Sequence, residues 1–268
     1  MRKRSLDLTA MAVYVAVAFS AAGVLGAVQP LTRIPGEVVQ LTQFGPALGV
    51  GVVALLWPGR LREVLAGTGP ARARGALLLA TAPVIIVVSA ALHAALTGEA
   101  GLARPEAPFA LIAAAQLLGA CGEEIGWRCL LQPLLRTRFG PLGASVTVGI
   151  VWGVWHVQIF ARHPVYAVSF LVAAVSMSVV LGLALDLAGS SRLLLAGGFH
   201  ALINLGMLLC MDEESGAVLP MVVFGSSCLL AAAVWAWTTA RAARSAASGA
   251  QSAASVRARL PVIMRDVR

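Results

Sequence analysis

Apolar runs of roughly twenty residues recur along most of this chain, and that is the length a helix needs to cross a bilayer. They cover 8–28, 41–57, 75–97, a fourth from Pro108 that breaks at Pro133 or continues through Arg136 and Arg138, then 142–160, 165–187, 193–211 and 217–239. Hydrophobic residues make up 59% of the 268 and charged ones 12%, well below the charge of a soluble domain. The fold expected is all-α: a polytopic membrane protein with about eight transmembrane helices, surrounded by membrane lipids. Arg2-Lys3-Arg4 resembles the start of a signal peptide, but the run behind it exceeds the roughly 7 to 15 apolar residues of such a segment, so it counts as the first span. Pro83 is expected to kink the third helix.

The basic residues set the orientation. With the N-terminus inside, sixteen Lys and Arg fall in inner segments and three, Arg33, Arg104 and Arg162, in outer loops. That bias places both termini in the cytoplasm of a multi-pass plasma-membrane protein. A net charge of +8 raises nucleic acid as a partner, but nineteen of the twenty basic residues lie outside the spans and lack the aromatic interleaving of a nucleic-acid face. No nucleic-acid partner is expected. Residues 1–240 read as the membrane domain and 241–268, rich in Ala, Ser and Arg, as a basic, disordered cytoplasmic tail resting on anionic lipid. Cys121, Cys129, Cys210 and Cys228 read as small buried hydrophobes.

Within the fourth run, Gly122-Glu123-Glu124-Ile125-Gly126-Trp127-Arg128 puts three ionisable groups where only apolar sequence is cheap, which points to an active site. Glu124 and Arg128 are four apart, with the acid on the N-terminal side, the favourable order for an ion pair along a helix. Glu123 points about 100° away from Glu124 and lies five residues from Arg128. It is the acid left for chemistry. A buried Glu/Arg lock between helices would account for Glu124 and Arg128 but not for Glu123, which needs a cationic or hydrogen-bonding partner of its own.

Two further polar clusters interrupt apolar sequence: Trp152-Gly153-Val154-Trp155-His156 in the fifth run and His200-Ala201-Leu202-Ile203-Asn204 in the seventh. His200 and Asn204 share a helix face, and Trp152 lies one turn before His156, where it can wall the imidazole against lipid. His93 in the third run has no such neighbours and reads as structural or interfacial. Glu123, His156, His200 and Asn204 on three helices suggest one polar chamber, which fits hydrolysis in two ways. Glu123 can act as general base on a water that His156 helps to hold, with His200 and Asn204 donating to the oxyanion. Alternatively Glu123, His156 and His200 can bind Zn²⁺ as a His₂Glu set.

The three motifs in this order, Glu123-Glu124-x-x-x-Arg128, the aromatic-rich stretch ending in His156, and His200-x-x-x-Asn204, resemble the CAAX prenyl endoprotease and bacteriocin-processing (CPBP, or Abi) family of intramembrane proteases. The resemblance covers about 107–211. It implies that Glu123 is the catalytic base, Glu124 and Arg128 a supporting pair, His156 a partner for the water, and His200 with Asn204 the oxyanion donors. One departure is visible: the family usually has Phe four positions before the histidine of the second motif, and this chain has Trp152.

The function expected is an intramembrane endopeptidase with a cytoplasm-facing chamber; the alternative is a noncatalytic membrane protein, a transporter or bacteriocin immunity factor that binds a peptide or ion there. A zinc site of the His₂Glu kind normally works with a separate general base, and with Glu124 held by Arg128 none remains. An ion-free, glutamate-activated water is therefore favoured, with zinc as the alternative. The Ala- and Arg-rich composition, with a single Lys, suggests a high-GC bacterium, where a bacteriocin-like, pheromone or membrane-protein substrate is more plausible than a prenylated one. Depth poses a difficulty. If the fourth helix ends soon after Glu123, His156, fourteen residues into the fifth, lies roughly 21 Å from that end.

Overall fold

The structure is a computed structural model describing residues 2–36, 38–59, 62, 72–98, 102–105, 107–186, 192–211 and 216–263. Positions 60, 61 and 63–71 of the expected basic inner loop and 264–268 of the tail lie outside the described residues. Among the described residues, eight longer helices carry the fold: α1 (Arg2–Thr32), α2 (Gly45–Leu56), α3 (Arg72–Thr97), α4 (Phe109–Gly126), α5 (Pro141–Trp155), α6 (Pro164–Leu185), α7 (Arg192–Cys210) and α8 (Val218–Ile263). Six are long and apolar enough to cross a membrane, while Leu41–Leu56 and Pro141–Trp155 are shorter apolar helices. Large apolar side chains such as Leu31, Leu55 and Leu194 point outward, a surface that lipid would cover. The chain is a multi-pass membrane protein.

Beyond Gly126 the chain neither stops nor continues as a regular α-helix. It passes through a π-helical turn, Trp127–Leu131, into a last piece, Gln132–Arg136. Pro133 has no N–H to give to the ladder, and the wider turn lets the helix pass it. This extension removes the depth difficulty. Glu123 lies thirteen residues before Arg136, about 20 Å along the axis, and α5 spans 15 residues, about 22 Å, before His156 caps it. The two side chains reach one level without any protrusion of α5. The fifth run, expected to continue to 160, ends as α-helix at Trp155 and turns through a 3-10 segment, Val157–Ala161, to Pro164.

Small residues let the backbones close on one another, as membrane helices require when water supplies no driving force. A methyl on Gly149 would sit 2.6 Å from Val175 Cα, so α5 meets α6 at a bare backbone. Gly119, Gly122 and Gly126 form a similar face on α4, against Gln43, Phe44 and Tyr14. α6 lies in the centre, buried at every residue from Ser176 to Leu185.

The last helix also departs from expectation. It runs to Ile263, so 241–263, expected to be disordered, continues α8. Alanine, the best helix former, dominates the stretch and makes continuation cheap without a packed face. Arg241 lies over the Trp237 ring at 5.5 Å, a pairing suited to the level where α8 leaves apolar surroundings.

Candidate active site

Glu123 and Glu124 stand side by side on α4 and are almost wholly buried, at 2% and 0% exposure. As the helical offset predicts, their partners differ. Glu124 Oε2 accepts from Arg128 Nε at 2.9 Å, while Oε1 lies 3.0 Å from His200 Nδ1. The carboxylate thus joins α4 to α7, a contact 76 residues apart in sequence. Arg128 is held in turn by α6, donating from Nη1 to Ser178 Oγ at 2.6 Å and to Gln132 Oε1 at 3.3 Å. Ser178 donates onward to the Ser145 carbonyl of α5, and Gln132 to Ser145 Oγ. The charge pair is therefore braced from three helices, which buried ions need if they are not to be a net cost.

Glu123 finds its partner in Trp152, whose indole N–H donates to Oε2 at 2.8 Å. Trp152, predicted as a wall, is both wall and donor. Its ring packs edge-on against His200 at 5.2 Å and His156 at 5.9 Å, and the Arg128 guanidinium lies 5.4 Å from its centroid. His156 is enclosed by Trp155 and Phe170, with centroids at 4.8 and 4.9 Å. A ladder of edge contacts runs from Tyr14 through Trp127 to Trp155, tying α1 to this corner.

The hydrogen bonds fix which imidazole nitrogen is available. His156 Nδ1 lies 2.9 Å from the Trp152 carbonyl, which can only accept, so Nδ1 carries a proton and Nε2 is left toward the chamber. His200 spends Nδ1 on the Glu124 carboxylate in the same way. Asn204 does not join His200 in a free pair: its Nδ2 donates to Gln116 Oε1 at 3.0 Å. Gln116 was missed in the sequence. It lies two turns before Glu123 and is the polar residue that interrupts the run 109–121, which was its signal. Gln43 was missed as well; it comes from the 3-10 turn before α2, and no spacing rule links it to α4.

Glu123, His156, His200 and Asn204 all line one cavity of about 340 Å³, together with Gln43 and Gln116. Its rim includes Gly36 and Gln40 after α1, Gln158 and Arg162 after α5, and Leu208 late in α7. These lie at the end of the bundle opposite the start of α1. The chamber expected on the basic, N-terminal face opens on the other one, because the π-turn extension moves Glu123 away from the basic end. Glu123, His156 and His200, the candidate zinc set, share this cavity, yet among the described residues no three His, Cys, Asp or Glu side chains come together as a metal site. All four cysteines are free thiols.

Residues 105–206, which hold Glu123, Glu124, Arg128, Trp152, His156, His200 and Asn204, match the family model described as type II CAAX prenyl endopeptidase Rce1-like. The CAAX prenyl protease 2 of Methanococcus maripaludis is 30% identical over 130 residues, 44% of this chain and 46% of that protein. The lysostaphin resistance protein A of Staphylococcus epidermidis is 26% identical over 115 residues, 41% of this chain and 29% of that protein. The chain thus spans less than half the length of the curated relatives it matches. Through its segment 105–206, carrying the paired glutamates and both cavity histidines, the chain is similar to the Rce1-like CAAX prenyl endopeptidases.

Proposed function

We propose that the protein is an intramembrane endopeptidase in which Glu123 activates the attacking water. The observation that carries this reading is the separation of the two acids: Glu124 is saturated by Arg128 and His200, while Glu123 faces the cavity with one oxygen anchored by Trp152 and the other left for a water. Glu123 takes a proton as the water oxygen bonds to the scissile carbonyl carbon, and returns it to the leaving amine nitrogen as the C–N bond breaks. His156, with Nδ1–H given to the Trp152 carbonyl, accepts at Nε2 and holds the water. His200 donates to the oxyanion from Nε2. With Nδ1–H already committed, that requires the imidazolium, whose charge Glu124 balances. Asn204 has a second amide hydrogen beyond the one given to Gln116 and completes the oxyanion site.

The charge bias of sixteen to three supports an orientation with both termini in the cytoplasm, in which the cavity mouth opens on the non-cytoplasmic side. The substrate is a peptide or membrane-protein segment that reaches the site from there. The second reading is a noncatalytic role for the same chamber, in resistance or immunity, a class suggested by the similarity to a protein named for lysostaphin resistance. Comparative proteomics of membranes from cells producing wild-type or Glu123→Gln protein separates the two. Loss of a defined set of cleavage products in the variant is expected; identical peptide profiles, with both proteins present at equal levels, sink the protease reading.

A further inference from the structure

Arg128 closes the acidic cluster on one side and borders a second, smaller space on the other. Its Nε and Nη1 are engaged by Glu124, Ser178 and Gln132, but Nη2 has no hydrogen-bond partner although the residue is only 2% exposed. A buried guanidinium N–H is costly to leave unmade, and an anion is its natural complement. The space it borders has a volume of about 190 Å³ and is also lined by Gln132, Arg136, Asp186 and Arg192. Three guanidinium groups therefore meet there, with Asp186 as the acid among the lining residues. Both Asp186 oxygens are taken by Arg136, at 2.5 and 3.1 Å.

The location matters as much as the charge. Arg136 ends the α4 extension and Arg192 begins α7, so the space lies at the basic end of the bundle, away from the mouth of the active-site cavity. Phosphate headgroups and free phosphate are both met at such a level. We propose that this cavity binds a phosphate-type oxyanion, either inorganic phosphate or the phosphodiester of an anionic lipid, with Arg128 Nη2 and Arg192 as its donors. Planar guanidinium forks suit the spaced oxygens of such a group better than a lysine would. Because the same guanidinium holds Glu124, and Glu124 holds His200, an occupied site steadies the cluster on the far side of Arg128. The proposal does not depend on the protein being a protease.

The test uses the full chain in nanodiscs. Inorganic phosphate is titrated at constant ionic strength against discs of phosphatidylcholine alone, and phosphatidylglycerol is introduced in a parallel series, with the melting temperature as readout. A saturable rise with phosphate supports a free-anion site; a rise with phosphatidylglycerol that phosphate does not increase supports a headgroup site. Arg192→Gln is expected to weaken the apparent affinity by about tenfold or more, the equivalent of one lost charged contact, and Arg244→Gln in the tail to leave it unchanged. Should Arg192→Gln not fold, Arg192→Lys, which keeps the charge and loses the fork, is expected to shift the titration in the same direction by less. No saturable response to either probe, or an equal response in the wild type and both Arg192 variants, overturns the proposal.

Discussion

The indole N–H of Trp152 donates to Glu123 Oε2 at 2.8 Å, joining a carboxylate on α4 to the last turn of α5. Removing that donor while keeping an aromatic ring separates anchoring from chemistry. Trp152→Phe is expected to destabilise the protein by about 1.5 to 3 kcal/mol, as for a hydrogen bond to a charged group, while retaining part of the activity, since the free oxygen of Glu123 still faces the cavity. Thermal melting in detergent and a proteolysis assay on the same preparation check it. Loss of activity as complete as in Glu123→Gln would make the indole indispensable to the chemistry.

Glu124 and Glu123 should respond differently to the same isosteric change. Glu124→Gln removes the charge that both Arg128 and His200 lean on and is expected to cost about 3 to 5 kcal/mol, as for breaking a buried ion pair. Glu123→Gln leaves a neutral group beside a neutral donor and is expected to melt close to wild type. Equal losses of stability in the two variants would contradict the division of roles.

Tyr14 and Gly126 offer a packing test. The Tyr14 hydroxyl is buried without a hydrogen-bond partner and presses on Gly126, where a methyl would also lie 2.8 Å from Pro46 Cβ. Gly126→Ala is expected to destabilise by about 1 to 3 kcal/mol through overpacking. Tyr14→Phe alone should be near neutral, and the double variant should recover part of the loss. Additive effects in the double-mutant cycle would mean that the hydroxyl is not what the methyl strikes.

Orientation is read by reagents that cannot cross the membrane. In a background lacking the four native cysteines, Gln158→Cys at the cavity rim and Arg104→Cys are expected to be labelled from outside intact cells, and Arg244→Cys only after permeabilisation. The opposite pattern would turn the cavity mouth to the cytoplasm.

Much of the molecule was legible before any coordinates. Apolar length alone marked eight helices, because a membrane segment must carry its whole hydrophobic requirement within itself. The 3.6-residue period separated Glu124, four residues from Arg128, from Glu123, since an i,i+4 pair meets on any helix whatever surrounds it. What lay between helices was not legible. No spacing rule carries Glu124 to His200 or Trp152 to Glu123, because those contacts depend on how far glycine faces let α4, α5, α6 and α7 approach. Asn204, placed on the right face by sequence, spends one amide hydrogen on Gln116, a choice made by a residue 88 positions away. The depth of the site, and with it the face on which the cavity opens, rests on the π-turn at Trp127–Leu131. A sequence shows Pro133 as a break; only the packed chain shows that the helix widens by one turn and passes it.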